Sequence, residues 1–291
     1  MTHIKPPYPR WRSLLFIPAH VGKFVAKAHE RGADGVILDL EDAVPLPRKP
    51  EARQTLAASI DALSGNGVAV MVRVNHHMRH IGADLEAAVR QGLTALVLPK
   101  VEDAGFVRDV ADAVSELEVS QGMELGTVRF ILQIETPGAL FSLQAIANAH
   151  ARVAAMTLGP EDYSAAIGGI PVAETLLTPN YAVLAAARAA GILPLGFVGS
   201  IGDFSDKERF TEMARQARRL GFRGALVVHP SQVGPLNAAF SPTEQELDWA
   251  RRVIDGDLQA REAGIGAFQI DGKMVDLPVV KRAQEILSLA G

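Results

Sequence analysis

Carboxylates recur in this sequence directly after short apolar runs: Asp39, Glu41 and Asp42 in VILDLED, Glu135 in FILQIET, and Glu161 and Asp162 in TLGPED. If the ends of those runs converge, the carboxylates raise one another's pKa until a cation or a basic side chain intervenes. The chain has no cysteine. A metal here would be held by oxygen or imidazole, and oxygen ligands alone favour a hard ion, Mg²⁺ first and Mn²⁺ second. Other apolar runs end in basic residues: Arg73 in VRVN, Lys100 in LPK and His229 in VHPSQ. An arginine can grip a carboxylate through two parallel hydrogen bonds, which suits a small oxo acid or hydroxy acid as substrate. Arg12 and Lys23 flank the first run and its following loop. From there they could meet the phosphates of a larger acyl carrier.

Each residue also has a purely structural reading. Asp42 can cap a helix, and Asp39 can pair with Arg73 inside a layer of side chains. Lys100 can close a strand, His229 can be a histidine held by its neighbours, and the basic run RQARRLGFR reads as the solvated face of a helix. It is the combination of acids at several run ends that points to a site.

Positioning these groups requires elements whose ends meet. The apolar runs are LLFIP from Leu14, GVILDL from Gly35, VAVMVRV from Val68, ALVLPK from Ala95, VRFILQIE from Val128, VAAMTLG from Val153, PLGFVGS from Pro194 and ALVVHP from Ala225. They recur at about the 30-residue interval of a strand–helix unit. Their continuous apolar character is that of parallel strands covered on both faces. Segments of helical spacing separate them: FVAKAHERG, EARQTLAASIDALSG, AGFVRDVADAVSEL, YAVLAAARAAG and ERFTEMARQARRLG. This alternation predicts a (β/α)8 TIM barrel over residues 10–240, whose strand ends converge on one mouth. No G-x-G-x-x-G follows the first strand, which argues against a dinucleotide-binding sheet. Residues 241–291 exceed what the barrel needs: a long helix in TEQELDWARRVIDGDLQAREAG, an extended piece in GAFQIDGKMVDLPVV and a final helix from Val280. They are expected to cap a barrel mouth, the chain's own or a neighbouring subunit's, as part of the same functional unit.

Composition excludes several alternatives. At 291 residues, 48% hydrophobic and 21% charged with net charge −4, the chain lacks the basic excess of a nucleic-acid binder and the polarity of a disordered protein. The N-terminal MTHIKPPYPRWRS has no long apolar core of a signal peptide, and no later run reaches the roughly 18 residues of a membrane span. A soluble, cytoplasmic protein without membrane or nucleic-acid partners is expected.

The strings RSLLFIP, VILDLEDAV, VRVN, LPKVED, QIETPGAL, LGPEDYSAAIGG, VVHPSQV and GKMVDLPVV, in this order, resemble the citrate lyase β-subunit-like branch of the HpcH/HpaI aldolase and citrate lyase family. The resemblance spans roughly residues 10–285. It implies a Mg²⁺-dependent barrel, usually a homotrimer, that cleaves or forms a carbon–carbon bond in a 3-hydroxyacyl thioester such as malyl-CoA or citramalyl-CoA, with an oxo acid and an acyl-CoA as the other partners. By the same resemblance Glu135 and Asp162 ligate the metal and Arg73 binds the oxo acid's carboxylate. Asp39, Glu41 and Asp42 hold metal-bound waters or orient Arg73. Asp276, in MVD, corresponds to the catalytic acid/base that relatives supply from a neighbouring subunit's C-terminal segment. Backbone N–H groups around the segment of Gly159, Pro160, Glu161 and Asp162 can add hydrogen bonds to the bound acid. A class II aldolase acting on free hydroxy oxo acids, a thioesterase variant of the same site, and a non-catalytic oxo-acid-binding subunit stand as alternatives.

Overall fold

The computed structural model describes residues 9–202 and 204–290. Eight parallel strands form its principal sheet: β1 (Ser13–Pro18), β2 (Gly35–Asp39), β3 (Ala69–Arg73), β4 (Leu93–Leu98), β5 (Arg129–Ile134), β6 (Val153–Leu158), β7 (Leu193–Leu195) and β8 (Ala225–Val227). Every apolar run above becomes one of them. The order β7-β6-β5-β4-β3-β2-β1-β8 places sequence neighbours side by side and brings β8 beside β1. A parallel bridge between Leu195 and Gly224 then ties the free edge of β7 to the segment entering β8, reinforced by a 2.8 Å hydrogen bond from Gly196 N to the Gly224 carbonyl. The ring of strands is thereby joined into a (β/α)8 barrel.

The helices between the strands are α1 (Gly22–Val25), α2 (Lys49–Gly65), α3 (Met78–Ala88), α4 (Ala104–Ser120), α5 (Leu143–Ala147), α6 (Pro160–Ala166), α7 (Ala173–Ala190) and α8 (Lys207–Leu220), with α9 (Val233–Phe240) after β8. The first departs from its sequence pattern. FVAKAHERG forms only the short α1 and a 3₁₀ turn at His29–Arg31, because Val21 offers no side-chain cap and Gly32 turns the chain into the left-handed region. Helix α7 is longer than its alanine-rich core, running from Ala173 through Pro179.

Alternate residues along each strand point into the barrel. Leu14, Ile37, Met71, Ala95, Ile131, Ala155, Leu193 and Leu226, one from each strand, are buried together in its interior. The barrel is a packed core at this level, and a cavity opens toward the C-terminal ends of the strands.

Contacts divide the chain into two compact units, one ending at Asn237 and the other beginning at Ala238. The C-terminal unit holds α10 (Glu244–Glu262), the antiparallel pair β9 (Phe268–Ile270) and β10 (Lys273–Val275), and α11 (Leu277–Ser288). The extended piece read from sequence is a hairpin, closed by Asp271 and Gly272, whose φ angles of 51° and 73° suit a two-residue turn. Helix α11 starts at Leu277, before Val280, because the Asp276 side chain accepts a hydrogen bond from Val279 N and caps it. Ala250, Val253, Val275, Val280 and Ala283 form this unit's own buried cluster.

Candidate active site

Parallel pairing puts Asp39, the last residue of β2, opposite Arg73, the last of β3. The guanidinium grips the carboxylate with Nε at 2.8 Å and a terminal nitrogen at 2.6 Å, and lies 4.6 Å from the centre of the Phe16 ring. Burial opposes the cation. The Asp39 hydrogen bonds and the charges of Asp39, Glu41 and Glu135 outweigh it and hold the Arg73 pKa above its usual value. Asp39 also accepts from the backbone N–H of Glu41 at 2.9 Å and of Ala43 at 3.2 Å, folding the acidic loop back over the strand end. The Asp39–Arg73 pair anticipated from sequence therefore forms, and it belongs to the site's wall.

That loop carries Glu41 inward and leaves Asp42 exposed. Glu41 accepts from Lys100 Nζ at 2.7 Å and lies 3.1 Å from Arg73. Even so, burial keeps its pKa raised. Asp42 is 3.5 Å from the same ammonium. Lys100 does more than close a strand. Its backbone adopts φ 52°, and its N–H donates to Glu135 Oε2 at 3.0 Å.

Glu135 is 2% exposed. Burial, followed by the charges of Glu41 and Asp162, pushes its pKa up to about 8, against the opposing pull of Arg73 and Lys100. On the neighbouring strand, β6 ends at Leu158 and Gly159 leads into α6, whose first turn contains Pro160, Glu161 and Asp162. Gly159 leaves the space that Glu135 fills: a β-carbon on it would stand 2.5 Å from Glu135 Cγ, so the side chain would have to move. Arg73, Glu135, Gly159, Pro160, Glu161 and Asp162 all line one cavity of about 300 Å³ at the mouth.

The donors suit a hard divalent cation. A buried carboxylate whose proton affinity is raised by acidic neighbours is stabilised when positive charge stands between them. Among the described residues no three His, Asp or Glu side chains converge as a complete protein cage. Glu135 and Asp162 with open space beside them match Mg²⁺, which keeps several waters and uses one or two carboxylates.

A model of the HpcH/HpaI aldolase/citrate lyase family matches residues 12–230. The chain belongs to this family. It is 33% identical over 282 residues to the citrate lyase subunit beta of Haemophilus influenzae, covering 96% of each chain. Over 292 residues it is 28% identical to the mitochondrial citramalyl-CoA lyase of Rattus norvegicus, covering 96% of this chain and 86% of that one. Among solved structures, the CitE protein of Mycobacterium tuberculosis in complex with magnesium, acetoacetate and coenzyme A superposes with a TM-score of 0.71 at 32% identity, covering 99% of this chain and 100% of that one. This HpcH/HpaI member is accordingly a lyase.

The barrel separates the two basic residues at the start of the chain. Lys23 follows β1 and is exposed in α1, at the mouth end. Arg12 precedes β1, roughly 20 Å away along the strand at about 3.3 Å per residue. Its backbone N–H, Nε and a terminal nitrogen all bond the Asp34 carboxylate at 2.7–2.8 Å. The acyl-carrier role expected for Arg12 is therefore corrected: it braces the opposite end of the barrel. His229 is a held histidine, stacked on Phe204 at 4.3 Å and bonded to Ser231, and Glu161 reaches Ser200. Asp276 lies in the C-terminal unit as the cap of α11.

A polar layer behind the acidic loop escaped the sequence reading. Lys49 is 8% exposed, and its Nζ donates at 2.7 Å to the carbonyls of Leu40 and Glu41 and to Asn75 Oδ1. Asn75 is held by Asp84, which pairs with Arg53. A lysine at a helix start carries no spacing signal that distinguishes it from a solvated charge.

Proposed function

We propose that this protein is a Mg²⁺-dependent carbon–carbon lyase that cleaves or forms a 3-hydroxyacyl-CoA, with malyl-CoA and citramalyl-CoA the first candidates, yielding an oxo acid and an acyl-CoA. The observation that carries this reading is the shared cavity: the buried Glu135 carboxylate, Asp162 and the Arg73 guanidinium all line it at the barrel mouth. Similarity to a citrate lyase subunit, to a citramalyl-CoA lyase and to a protein holding magnesium and coenzyme A supports the thioester.

In this reading Glu135 and Asp162 hold the metal. When bound, Mg²⁺ supplies Lewis acidity toward the oxo acid's carbonyl, and Mn²⁺ is the natural substitute. Arg73 has five N–H donors, of which Asp39 takes two, leaving others for the oxo acid's carboxylate. Asp39 and Glu41 keep the guanidinium in place, and Asp42 carries acidic charge at the cavity rim. N–H groups along Gly159 to Asp162 add donors to the bound acid, apart from Pro160, which has none. Asp276, supplied by a neighbouring subunit of a homotrimer, removes the proton from the thioester's α-carbon in condensation and returns it in cleavage. Lys23 meets the phosphates of the carrier. A cytoplasmic setting fits a chain without cysteine, and among the described residues no helix is long and apolar enough to cross a membrane.

The test is a panel of hydroxyacyl-CoA thioesters with Mg²⁺, following the oxo acid and the acyl-CoA together. Matched release of both marks the lyase. Free CoA without oxo acid marks a thioesterase, cleavage of the free hydroxy acid alone marks an aldolase, and oxo-acid binding without any turnover marks a binding subunit. Asp276→Asn, which keeps the helix cap, is expected to retain Mg²⁺ and oxo-acid binding while losing about 10²- to 10⁴-fold in rate. Mixing it with Glu135→Ala protein restores activity if the subunits share the site. Full activity in Asp276→Asn overturns its role.

A further inference from the structure

The hairpin of the C-terminal unit leads directly into Asp276: β10 ends at Val275, and the next residue is the acid that caps α11. A hairpin with three residues in each strand is marginal by itself, so the place of Asp276 depends on what the hairpin packs against. Within this unit that support is α10. Two residues one helical turn apart on its face, Arg252 and Gly256, receive the two ends of the hairpin.

At the turn, the Arg252 guanidinium donates hydrogen bonds of 2.8 Å to both carboxylate oxygens of Asp271. At the open end, β9 begins with Phe268, whose ring edge lies against Gly256: a β-carbon there would stand 2.4 Å from Cε2 and 3.0 Å from Cζ. Phe268 pairs in register with Val275, which is 2% exposed inside the unit's apolar cluster, and the ring packs on that cluster too. Contact therefore runs from Gly256 through Phe268 to Val275, the residue immediately before Asp276.

Glycine inside a helix is unfavourable relative to alanine, because it loses more backbone freedom on folding. Gly256 lies within the 19-residue α10 and is not among the glycines of positive φ, so the helix itself does not call for it. The ring does. We propose that Gly256 is a positioning residue for the acid/base: its bare α-carbon is the notch that seats Phe268, and with it the strand end that carries Asp276, while Arg252 and Asp271 hold the turn. This rests on the acid/base reading of Asp276. A methyl group at position 256 pushes the ring off the helix, and the β9–β10 pairing passes the shift to Val275 and Asp276. Displacement of an acid/base by about 1 Å can cost on the order of 100-fold in rate.

The experiment compares full-length Gly256→Ala, Phe268→Leu, the double variant and Asp276→Asn. Turnover is followed on the thioester that wild-type protein cleaves fastest, and binding of Mg²⁺ and pyruvate is followed by calorimetry. Gly256→Ala is expected to lower kcat about 10- to 100-fold with both affinities near wild type, because the barrel holds the metal and the acid. Phe268→Leu added to it should recover much of the rate, since the methyl group fills what the smaller side chain vacates, the coupling of two residues in contact. Wild-type kcat in Gly256→Ala overturns the proposal. So does a loss that the double variant does not relieve, or a loss matched by weaker Mg²⁺ and pyruvate binding. If melting curves show that Gly256→Ala does not fold, Phe268→Leu alone decides: a lower kcat with binding intact supports the notch, and a wild-type kcat overturns it. Full activity in Asp276→Asn overturns the acid/base reading and the proposal with it. Loss of activity in Asp276→Asn beside wild-type kcat in Gly256→Ala overturns the positioning alone.

Discussion

Gly159 and Glu135 compete for one space: a β-carbon on the glycine would stand 2.7 Å from Glu135 Oε1 as well as 2.5 Å from Cγ. Glutamate can occupy the buried end of β5 only because the neighbouring strand ends without a side chain. Gly159→Ala is expected to leave the barrel folded while pushing the carboxylate aside. Since misplacement of about 1 Å can cost on the order of 100-fold in rate, turnover should fall by that order, with Mg²⁺ affinity falling in parallel. Calorimetry with Mg²⁺ and circular dichroism read the two effects separately. Wild-type Mg²⁺ affinity in the folded variant would remove Glu135 from the metal site.

Glu135 also sets a pH dependence on stability. Its carboxyl, ordinarily near 4.5, sits at about 8 in the folded, metal-free chain. Between those values the folded protein keeps a proton that the unfolded chain has released, so its stabilising effect is complete below the lower value and fades as pH rises through the upper one. The slope contributed by one such group approaches about 1.4 kcal/mol per pH unit. Glu41, raised by burial, acts in the same direction. The diagnostic is therefore the difference between wild type and Glu135→Gln in melting temperature, from about pH 5 to about pH 8.5, without metal. Wild type should lose more stability across this range, and added Mg²⁺ should recover more of it at the alkaline end. Parallel curves for the two proteins would contradict the burial-driven shift.

The eight strands were legible because parallel strands covered on both faces are written as uninterrupted apolar runs, from LLFIP to ALVVHP. The acidic mouth was legible for a related reason: strand ends share one direction, so Asp39, Glu135 and Asp162 converge whatever the helices do between them. Arg12 was misread because its place before β1, at the end of the barrel away from the mouth, was not weighed; Asp34, which binds it, gives it its role there. Neither propensity nor pattern could reveal Lys49, whose partners are two backbone carbonyls and Asn75, brought together only by the packing of α2 against the strand ends.

Lys49 deserves its own measurement. Burial lowers its pKa against the charges of Asp84, Asp39, Glu41 and Asp42, yet its three hydrogen bonds hold the acidic loop at the Leu40 and Glu41 carbonyls. Lys49→Met leaves Asn75 Oδ1 without its donor, while the Leu40 and Glu41 carbonyls keep only Asn75 Nδ2 and Val44 N. It is expected to lower stability by about 1–3 kcal/mol, the cost of the one buried acceptor left unpaired. Urea unfolding measures that loss. Turnover should fall as well, because the loop carries the carboxylates that flank Arg73. A variant with wild-type stability and rate would reduce the network to incidental packing.

The final expectation separates the two ends of the barrel. Arg12→Ala strips the partly buried Asp34 of two side-chain hydrogen bonds, leaving the one from the backbone N–H, and should lower the melting temperature, with a cost of about 1–3 kcal/mol. The KM for a CoA thioester should stay near wild type, because the side chain lies beyond the far end of β1 from the mouth. Lys23→Ala is expected to do the reverse. Its ammonium is exposed, 5.2 Å from the Phe24 ring centre, and its loss should leave stability within about 0.5 kcal/mol. It should raise the KM for the thioester, an effect that weakens with added salt as expected for an exposed charge. Melting curves and KM values for the two variants at low and high salt form one experiment. If Arg12→Ala changed KM and Lys23→Ala changed only stability, the carrier would have to approach from the end of the barrel opposite the carboxylates, and the direction of substrate access argued above would fail.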